Sequence, residues 1–265
     1  MVLYTISYFF IRRHVIERLR YRGEYMILGC IIIGIVLAYF LVERQKEADR
    51  QQHFQQSDYF AQTGNAYYDV KTNAGKRGEY FISELINSLI GYKRVLYNCY
   101  IPKANGETTE VDVILIHETG IYVIESKNYK GWIFGSEEQK NWTQTLSAGR
   151  NGVQKYHFYN PVIQNKVHIK WIKEYLKMRN LPIYSYIAFG NNATLKSINI
   201  TSRNIYIVLQ RDLLSAIIFN ANQIGRVFTN EMIDQIYGKL YPLTQVSETR
   251  KMEHVNQVCR KKYNI

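Results

Sequence analysis

The sequence predicts an α/β domain, built on a mixed central sheet flanked by helices, that follows an N-terminal membrane helix. An uncharged apolar run at residues 25–42 predicts the membrane helix. Two runs rich in β-formers, 109–116 and 121–128, are joined by a short turn ending in Gly120 and predict a β-hairpin. Stretches with apolar residues at helical spacing lie before and after this hairpin. Strands and helices mixed along one chain indicate the α/β class.

The composition indicates a globular domain with anionic partners. The chain has 265 residues, enough for one sizeable core plus attached segments. Lys and Arg number 34 against 22 Asp and Glu, so the net charge is +12. This excess favours nucleic acid or anionic lipid without choosing between them, and a basic protein with neither partner is the alternative. The three cysteines, Cys30, Cys99 and Cys259, form no CxxC or metal pattern, so no disulfide framework is expected.

Residues 1–42 are predicted to bind membrane lipid. Segment 25–42 has the roughly 18 apolar residues that spanning requires. Its hydrophobicity on all sides favours a membrane over a protein core. The apolar part of segment 1–24 is too short to span, and the arginines that follow it predict a basic interfacial helix on anionic lipid. These arginines are Arg12, Arg13, Arg18, Arg20 and Arg22.

The rest of the chain divides into three segments by composition. Residues 43–74 are polar and Gln-rich and are predicted to form a stalk. Residues 75–241 are predicted to form the globular domain, and residues 242–265 a polar basic tail in a loose helix. The elements expected in the domain are a helix at 78–90, a strand at 94–101, the hairpin, a loop and polar stretch through 132–159, a helix at 160–178, two apolar and therefore central strands at 183–189 and 204–209, and helices at 211–220 and 230–240.

The hairpin also predicts which side chains meet. A loop at 117–120 between antiparallel strands places Asp112 opposite Glu125 and Glu110 opposite Lys127, with all four side chains on one face. A shift of one residue would place the two carboxylates of the first pair on opposite faces. Both strands carry apolar residues on both faces, so the sheet is expected to be buried.

Two facing carboxylates in a buried sheet require a compensating cation, because opposed like charges are destabilising. Lys127 is one such cation, and a divalent metal is another. Oxygen ligands completed by water suit Mg²⁺ or Mn²⁺. A structural ion cluster is the alternative to a metal site, and the spacing alone leaves both interpretations open.

Two predicted helices carry further polar side chains. Glu79 lies in a first turn, where the helix dipole favours a carboxylate. In the helix at 160–178, Gln164 is placed to cap or to lie at the surface, and His168 is expected to be structural. Four lysines at helical spacing form a basic stripe, which is either a solvated face or a contact for nucleic-acid phosphates. The basic stripe consists of Lys166, Lys170, Lys173 and Lys177.

Motifs along the domain resemble the nuclease-related domain family, within the restriction-endonuclease-like PD-(D/E)xK superfamily. A D…ExK pattern alone arises by chance in many strands, and the order of the surrounding residues makes the resemblance specific. It covers about residues 75–176 and implies a restriction-endonuclease-like core. Its motifs are Gly78-Glu79, Glu110-Val111-Asp112, Gly120-Ile121-Tyr122-Val123-Ile124-Glu125-Ser126-Lys127-Asn128, Gly131 and Asn160-Pro161-Val162-Ile163-Gln164.

The resemblance implies hydrolysis of phosphodiester bonds that depends on Mg²⁺ or Mn²⁺. Asp112 and Glu125 would bind the metal, with the carbonyl oxygen of Ser126 as a third ligand. Lys127 would orient the attacking water or stabilise the charge of the transition state.

The same resemblance gives three further residues supporting roles. Glu79 and Gln164 would hold the water or the surroundings of the metal. Glu110 would hold Lys127 in place or act as an additional acid near the metal.

The sequence therefore predicts a membrane-anchored nuclease that acts on DNA or RNA. The alternative is a non-catalytic, membrane-tethered module that binds nucleic acid or another partner on a nuclease-like scaffold.

Five arginines precede the span and three basic residues closely follow it, so the positive-inside rule mildly favours an external domain, as in an envelope protein. Nucleic acid lies in the cytoplasm, and we predict a single-pass protein of the cell membrane with a cytoplasmic main domain.

Overall fold

The structure, a computed structural model, describes residues 2–147, 149 and 152–263. The side chains of residues 2–12, 14–24 and 261–263 lie outside this description. The chain forms two compact units, Met1–Gln56 and Ser57–Ile265.

The N-terminal unit is one helix, α1 (Val2–Gln55). Within the described residues, its part from Tyr25 to Gln55 is long and apolar enough to cross a membrane. This part contains the predicted span at 25–42. Of the arginines that predict an interfacial segment at 1–24, only Arg13 has a described side chain, which is exposed; the others lie outside the described side chains.

The second unit combines helices with two mixed sheets. Its helices within the described residues are α2 (Asp58–Thr63), α3 (Tyr67–Thr72), α4 (Ala74–Asn87), α5 (Pro161–Leu176), α6 (Leu213–Ile224), α7 (Asn230–Leu240) and α8 (Glu248–Tyr263). Its strands are β1 (Lys93–Pro102), β2 (Thr108–His117), β3 (Gly120–Lys127), β4 (Gly131–Ser136), β5 (Asn141–Ser147), β6 (Val153–Tyr159), β7 (Ile183–Phe189), β8 (Ala193–Asn199) and β9 (Ile205–Leu209).

The main sheet has the strand order β1-β2-β3-β7-β9. The first three strands are antiparallel, and β7 and β9 continue in parallel. Ile116 pairs with Ile121, which is the predicted hairpin register. The strands extend one pair further, to His117 and Gly120, so the connection has two residues instead of the predicted four. β9 lies at an edge of the sheet and not in the centre, since it pairs with β7 alone among the described strands.

Helices cover both faces of the main sheet. Ile172 of α5 and Ile236 of α7 pack with Ile116 of β2 in one buried cluster. α4 lies on the opposite face, because Gly78 approaches Ser126, whose side chain points away from those of its neighbours along β3. This arrangement is a nuclease-like core of mixed sheet and flanking helices, as the sequence predicts.

A second sheet, in the order β6-β5-β4-β8, occupies much of the stretch predicted as loop. The interpretation of 132–159 as a loop and polar stretch is therefore wrong. The sequence pattern of its strands is weak, because they carry many polar residues and β6 is almost entirely exposed. Trp142 anchors the sheet: it is fully buried, and a Cβ atom at Gly135 would lie 2.3 Å from its ring.

Both predicted domain boundaries differ from the structure. The compact unit begins at Ser57, so it includes much of the segment 43–74 that was assigned to a stalk. It also includes the predicted tail, since His254 of α8 is buried and lies 3.0 Å from the Thr108 hydroxyl. In both segments a few buried residues, such as Tyr59, lie among many polar ones, so their composition resembles that of a linker.

Asn160 fixes the start of α5 and the turn between β4 and β5. Its side-chain oxygen accepts from the backbone N–H groups of Val162 and Ile163, which caps the helix. Its amide group donates to three backbone carbonyl oxygens, those of Ser136, Glu137 and Gln139, at 3.2, 3.1 and 2.7 Å. The side chain is fully buried, so each of these bonds is made away from water.

Asn160→Asp is expected to lower the free energy of unfolding by about 2–4 kcal/mol, measured by urea denaturation. The aspartate keeps the capping oxygen but turns a buried carboxylate towards three carbonyl oxygens. Thr229→Ala is the control, because Thr229 is an exposed cap of α7, and its loss is expected to cost about 1 kcal/mol. An Asn160→Asp effect no larger than that of the control would contradict the role of the amide.

Candidate active site

The backbone of β2 departs from both neighbouring strands at Asp112. The β1–β2 ladder skips the pair Asn98 and Asp112, and the β2–β3 ladder stops at Val113 and Ile124. Asn98 has φ +48°, a left-handed conformation that asparagine tolerates better than most residues. Irregular pairing of this kind re-aims side chains and is frequent beside active sites.

Asp112 lies in this gap and faces other carboxylates. Its Oδ2 accepts the backbone N–H of Ser126 at 2.8 Å, a bond that crosses to β3. Burial raises the pKa of Asp112 well above its ordinary value, and the charges of Glu125 and Glu79 raise it further. The direct opposition of Asp112 and Glu125 stays a prediction, because the β2–β3 ladder ends one pair earlier, at Val113 and Ile124.

Glu125 is buried, with 1% of its surface exposed, and is held by two cationic or polar partners. Its Oε1 lies 2.5 Å from Lys127 Nζ, and its Oε2 lies 3.2 Å from His168 Nε2. Burial raises the pKa of this carboxyl, but the charge of Lys127 and the bond to His168 outweigh burial and bring it below its ordinary value. Glu125 is thus the ionised carboxylate of the site.

Lys127 is protonated in this environment. Its Nζ donates to Glu125 and to Gln164 Oε1, the latter at 3.2 Å. Burial lowers the pKa of a lysine, but the carboxylates of Glu125 and Asp112 outweigh it and raise the pKa of Lys127 above its ordinary value. The ammonium is therefore a fixed positive charge and not a proton acceptor.

His168 joins the site, although the sequence interpretation gave it only a structural role. Its ring is 3% exposed and bridges Glu125 to the Thr109 hydroxyl, which lies 2.7 Å from Nδ1. A signal was present in the sequence. Gln164 and His168 are four residues apart and so share one face of α5.

Glu79 lies on the other side of the gap. Its Oε2 accepts from the Tyr59 hydroxyl at 3.0 Å and from the Asn98 amide at 3.1 Å. Burial and the nearby charges of Glu110 and Glu125 raise the pKa of Glu79. The structure thus brings Glu79 to the carboxylates, and it adds Tyr59 and Asn98, which sequence reasoning missed.

Glu110 does not pair with Lys127 among the described contacts, so that expectation is wrong. Its Oε1 accepts from the Tyr100 hydroxyl at 2.8 Å, and its Oε2 lies 3.7 Å from His254 Nε2. The physical reason is that the β2–β3 ladder ends at Val113 and Ile124, so Glu110 has no pairing partner on β3 and meets Tyr100, with which it pairs on β1.

Gly78 allows α4 to pack closely on β3. A Cβ atom at this position would lie 2.8 Å from both Ser126 Oγ and Gln210 Nε2. The next residue in α4, Glu79, is consequently presented to the site. The Ser126 backbone N–H is bound to Asp112, and its carbonyl as a metal ligand stays a prediction.

The basic stripe lies away from these residues. Lys166 pairs with the buried Glu137 at 2.7 Å, and Lys170 lies over the Trp171 ring at 5.0 Å. At about 100° per residue, the helical members of the stripe lie roughly 180–240° round the axis of α5 from Gln164. The remaining members are Lys173 in the last turn and Lys177 at the C-cap.

The donor set fits a hard divalent cation. The carboxyl groups of Asp112, Glu125 and Glu79 act on one another electrostatically, and the ammonium of Lys127 acts on the first two. Among the described residues, no group of three or more His, Cys, Asp or Glu is placed to hold a metal. Mg²⁺ needs only one or two carboxylates, because it keeps several waters and takes phosphate oxygens as ligands.

Comparisons with known proteins cover the stretch of chain that contains these residues. The model of the nuclease-related domain family matches residues 74–190. An uncharacterised protein of Bacillus anthracis is 33% identical over 188 residues, which cover 71% of this chain and 84% of that protein. The stretch matched by the family model contains the four carboxylates of the site together with Lys127, Gln164 and His168.

Proposed function

The chain belongs to the nuclease-related domain family, and we propose that it is a membrane-anchored, metal-dependent nuclease that hydrolyses phosphodiester bonds of DNA or RNA. The observation that carries the proposal is the ion pair of Glu125 and Lys127 where the β2–β3 ladder ends, with both charges acting on Asp112. Burying two carboxyl groups and an ammonium in one place lowers the stability of the fold, because each group loses its hydration. Such a combination is characteristic of catalytic sites.

Asp112 and Glu125 would hold Mg²⁺ or Mn²⁺, with the Ser126 carbonyl as a third ligand. When bound, the cation polarises the phosphodiester and lowers the pKa of a coordinated water. Lys127 keeps its proton and stabilises the negative charge that develops on the phosphate oxygens.

The surrounding residues position these groups. Gln164 accepts a hydrogen bond from Lys127 and restrains the direction of the ammonium. Glu79, whose pKa is raised, orients a water on the side of the site opposite to Gln164. Glu110 restrains the Asn98 amide, which it accepts at 3.4 Å, and so supports Glu79 indirectly.

The proposal is tested with the full chain in a neutral detergent. End-labelled single-stranded and double-stranded DNA and RNA are incubated with Mg²⁺, Mn²⁺ or EDTA. We expect cleavage of at least one substrate with metal and none with EDTA. Binding without cleavage under all metal conditions would contradict the nuclease and favour the non-catalytic module.

We also propose that residues 25–42 anchor the protein in the cell membrane, with residues 1–24 on anionic lipid and the main domain in the cytoplasm. The support is the apolar part of α1. The full chain is expected to float with lipid vesicles, whereas a chain beginning at Ser57 is expected to remain in the soluble fraction.

His168→Ala is expected to weaken Mn²⁺ binding by about 10- to 100-fold, measured by calorimetric titration. The variant removes the partner that orients Glu125 Oε2. His157→Ala is the matched control, since His157 is exposed on β6 and lies near Thr143 instead of a carboxylate. Equal Mn²⁺ affinity in the His168 variant and the wild type would contradict the positioning role.

A further inference from the structure

A cavity of about 490 Å³ opens beside the candidate active site, and we call it the side groove. Its walls come from the start of α4, the β3–β4 connection and the β5–β6 hairpin. The residues that matter here are Arg77, Asn128, Tyr129, Lys130, Gln144 and Tyr156. Asn128 directly follows Lys127 in the chain, and a Cβ atom at Gly78, the neighbour of Glu79, would lie 3.5 Å from the Asn128 Cβ atom, so the side groove adjoins residues that flank the site.

The charge of the side groove is opposite to that of the acidic site. Arg77 and Lys130 line it, and no carboxylate does. Within the described part of the chain neither cation forms an ion pair, although Arg77 Nη1 donates to the Lys71 carbonyl at 2.8 Å. Two cations without acidic partners among the described residues attract a polyanion.

An aromatic ring also lines the side groove. Tyr156 of β6 is 45% exposed and pairs with Gln144 of β5. Tyr129 is held by Phe158 in an edge-to-face contact with a centroid distance of 4.6 Å. The ring of Tyr156 therefore has an accessible face, which is what stacking of a nucleic-acid base requires.

Hydrogen bonds fix the walls in place. The Asn128 amide donates to the Ala74 carbonyl at 2.5 Å, which ties the β3–β4 connection to α4. The Gln144 amide donates to the Lys130 carbonyl at 2.7 Å, which ties the same connection to β5. At Gly190 a Cβ atom would lie 2.5 Å from Asn128 Oδ1, so this close packing depends on the glycine. The side groove is thus a pre-formed site.

We propose that the side groove binds a single strand of nucleic acid that leads into the candidate active site. Phosphates lie at Arg77 and Lys130, and an unpaired base stacks on Tyr156. The strand is single because a paired base does not present its face to a side chain. The role of this strand as substrate rests on the proposed nuclease function, whereas its binding does not.

Binding is measured with the full chain in neutral detergent and EDTA, using a labelled single-stranded DNA of about 12 nucleotides and fluorescence anisotropy at several salt concentrations. EDTA separates binding from cleavage. Arg77→Ala and Lys130→Ala are each expected to reduce the slope of log K against log salt by about 0.7. Tyr156→Ala is expected to weaken binding by about 10-fold without changing the slope, and Tyr156→Phe is expected to bind like the wild type. A duplex of the same sequence is expected to bind more weakly.

Lys170→Ala is the control, because Lys170 is exposed on the basic stripe and outside the side groove. Wild-type affinity in all groove variants would overturn the side groove. So would a reduced slope in Lys170→Ala with no change in the groove variants, which would locate the strand on α5. Thermal unfolding of each variant checks that its fold is retained.

Failure of the nuclease proposal has a different signature. Bis(p-nitrophenyl) phosphate is a small phosphodiester that does not reach the side groove. Its hydrolysis with Mn²⁺ is expected to require only the carboxylates and Lys127. No hydrolysis of any phosphodiester, together with groove-dependent binding, would overturn the nuclease and support the side groove. Hydrolysis of this compound, together with wild-type affinity for DNA in the Arg77→Ala, Lys130→Ala and Tyr156→Ala variants, would support the nuclease and overturn the side groove.

Discussion

Asp112→Asn is expected to abolish metal binding and phosphodiester cleavage while leaving the protein at least as stable as the wild type. Asparagine keeps an oxygen that accepts the backbone N–H of Ser126, so the link between β2 and β3 survives. It removes one of the two carboxylates that would hold the cation. We expect the cleavage rate to fall by about 10³-fold or more, since metal and ammonium act together on the same phosphate.

The stability of this variant is the more unusual part of the prediction. Burial and the charges of Glu125 and Glu79 raise the pKa of Asp112, so its ionisation at pH 7 opposes folding. Removing the charge is expected to raise the free energy of unfolding by about 1 kcal/mol or more in EDTA. A gain in stability with a loss of activity is the behaviour of a residue that is kept for function.

Three measurements check this prediction: Mn²⁺ titration by calorimetry, cleavage rate and urea denaturation. Asp234→Asn is the matched control. Asp234 is exposed, and Tyr92 and Arg94 donate to it, which lowers its pKa. Its substitution is expected to leave metal binding and cleavage unchanged and to bring no gain in stability. Wild-type Mn²⁺ affinity in Asp112→Asn would show that the carboxylates form a structural ion cluster.

The hairpin shows why part of the site was predictable from sequence. A two-residue turn closed by Gly120, with φ +141°, fixes the register of β2 against β3. Once the register is fixed, the two-residue period of strands predicts Asp112 and Glu125 at the same level of the two strands, one pair beyond the end of the ladder. The resemblance of the flanking motifs to the nuclease-related domain family added Glu79 and Gln164, which come from distant helices.

The remaining features depend on signals that sequence patterns carry weakly. Tyr59 reaches Glu79 from a stretch whose composition is that of a linker. His254 packs beside Glu110 from a helix that is otherwise polar. In each case one buried side chain in a polar segment determines the contact. The composition of the segment does not reveal it, because the surrounding residues are polar.

Lys127→Met is expected to lose cleavage to the same extent as Asp112→Asn but to shift stability in the opposite direction. The ammonium contributes charge stabilisation to the reaction, so we expect the cleavage rate to fall by about 10²- to 10³-fold or more. It is also the cationic partner of Glu125, whose carboxylate is buried. Breaking a buried pair from one side typically costs about 3–5 kcal/mol, because the remaining charge is left without compensation.

The same variant separates metal binding from catalysis. Its carboxylates are intact, so Mn²⁺ is expected to bind and to restore part of the lost stability by supplying the missing positive charge. Urea denaturation with Mn²⁺ and with EDTA measures this recovery, and calorimetry measures the affinity. Lys170→Met is the control, since Lys170 lies on the exposed side of α5, and it is expected to change neither stability nor cleavage.

The double variant Asp112→Asn with Lys127→Met measures the interaction between the two side chains separately from the packing that each substitution disturbs. If both residues act on one charged site, their effects on stability are coupled, since removing Asp112 leaves fewer negative charges for the lysine to neutralise. The change in unfolding free energy of the double variant is then expected to differ from the sum of the changes in the single variants. Its cleavage rate is expected to be no lower than that of the less active single variant. Additive effects on activity and on stability would instead indicate two unrelated side chains, and would remove the basis for assigning them to one catalytic centre.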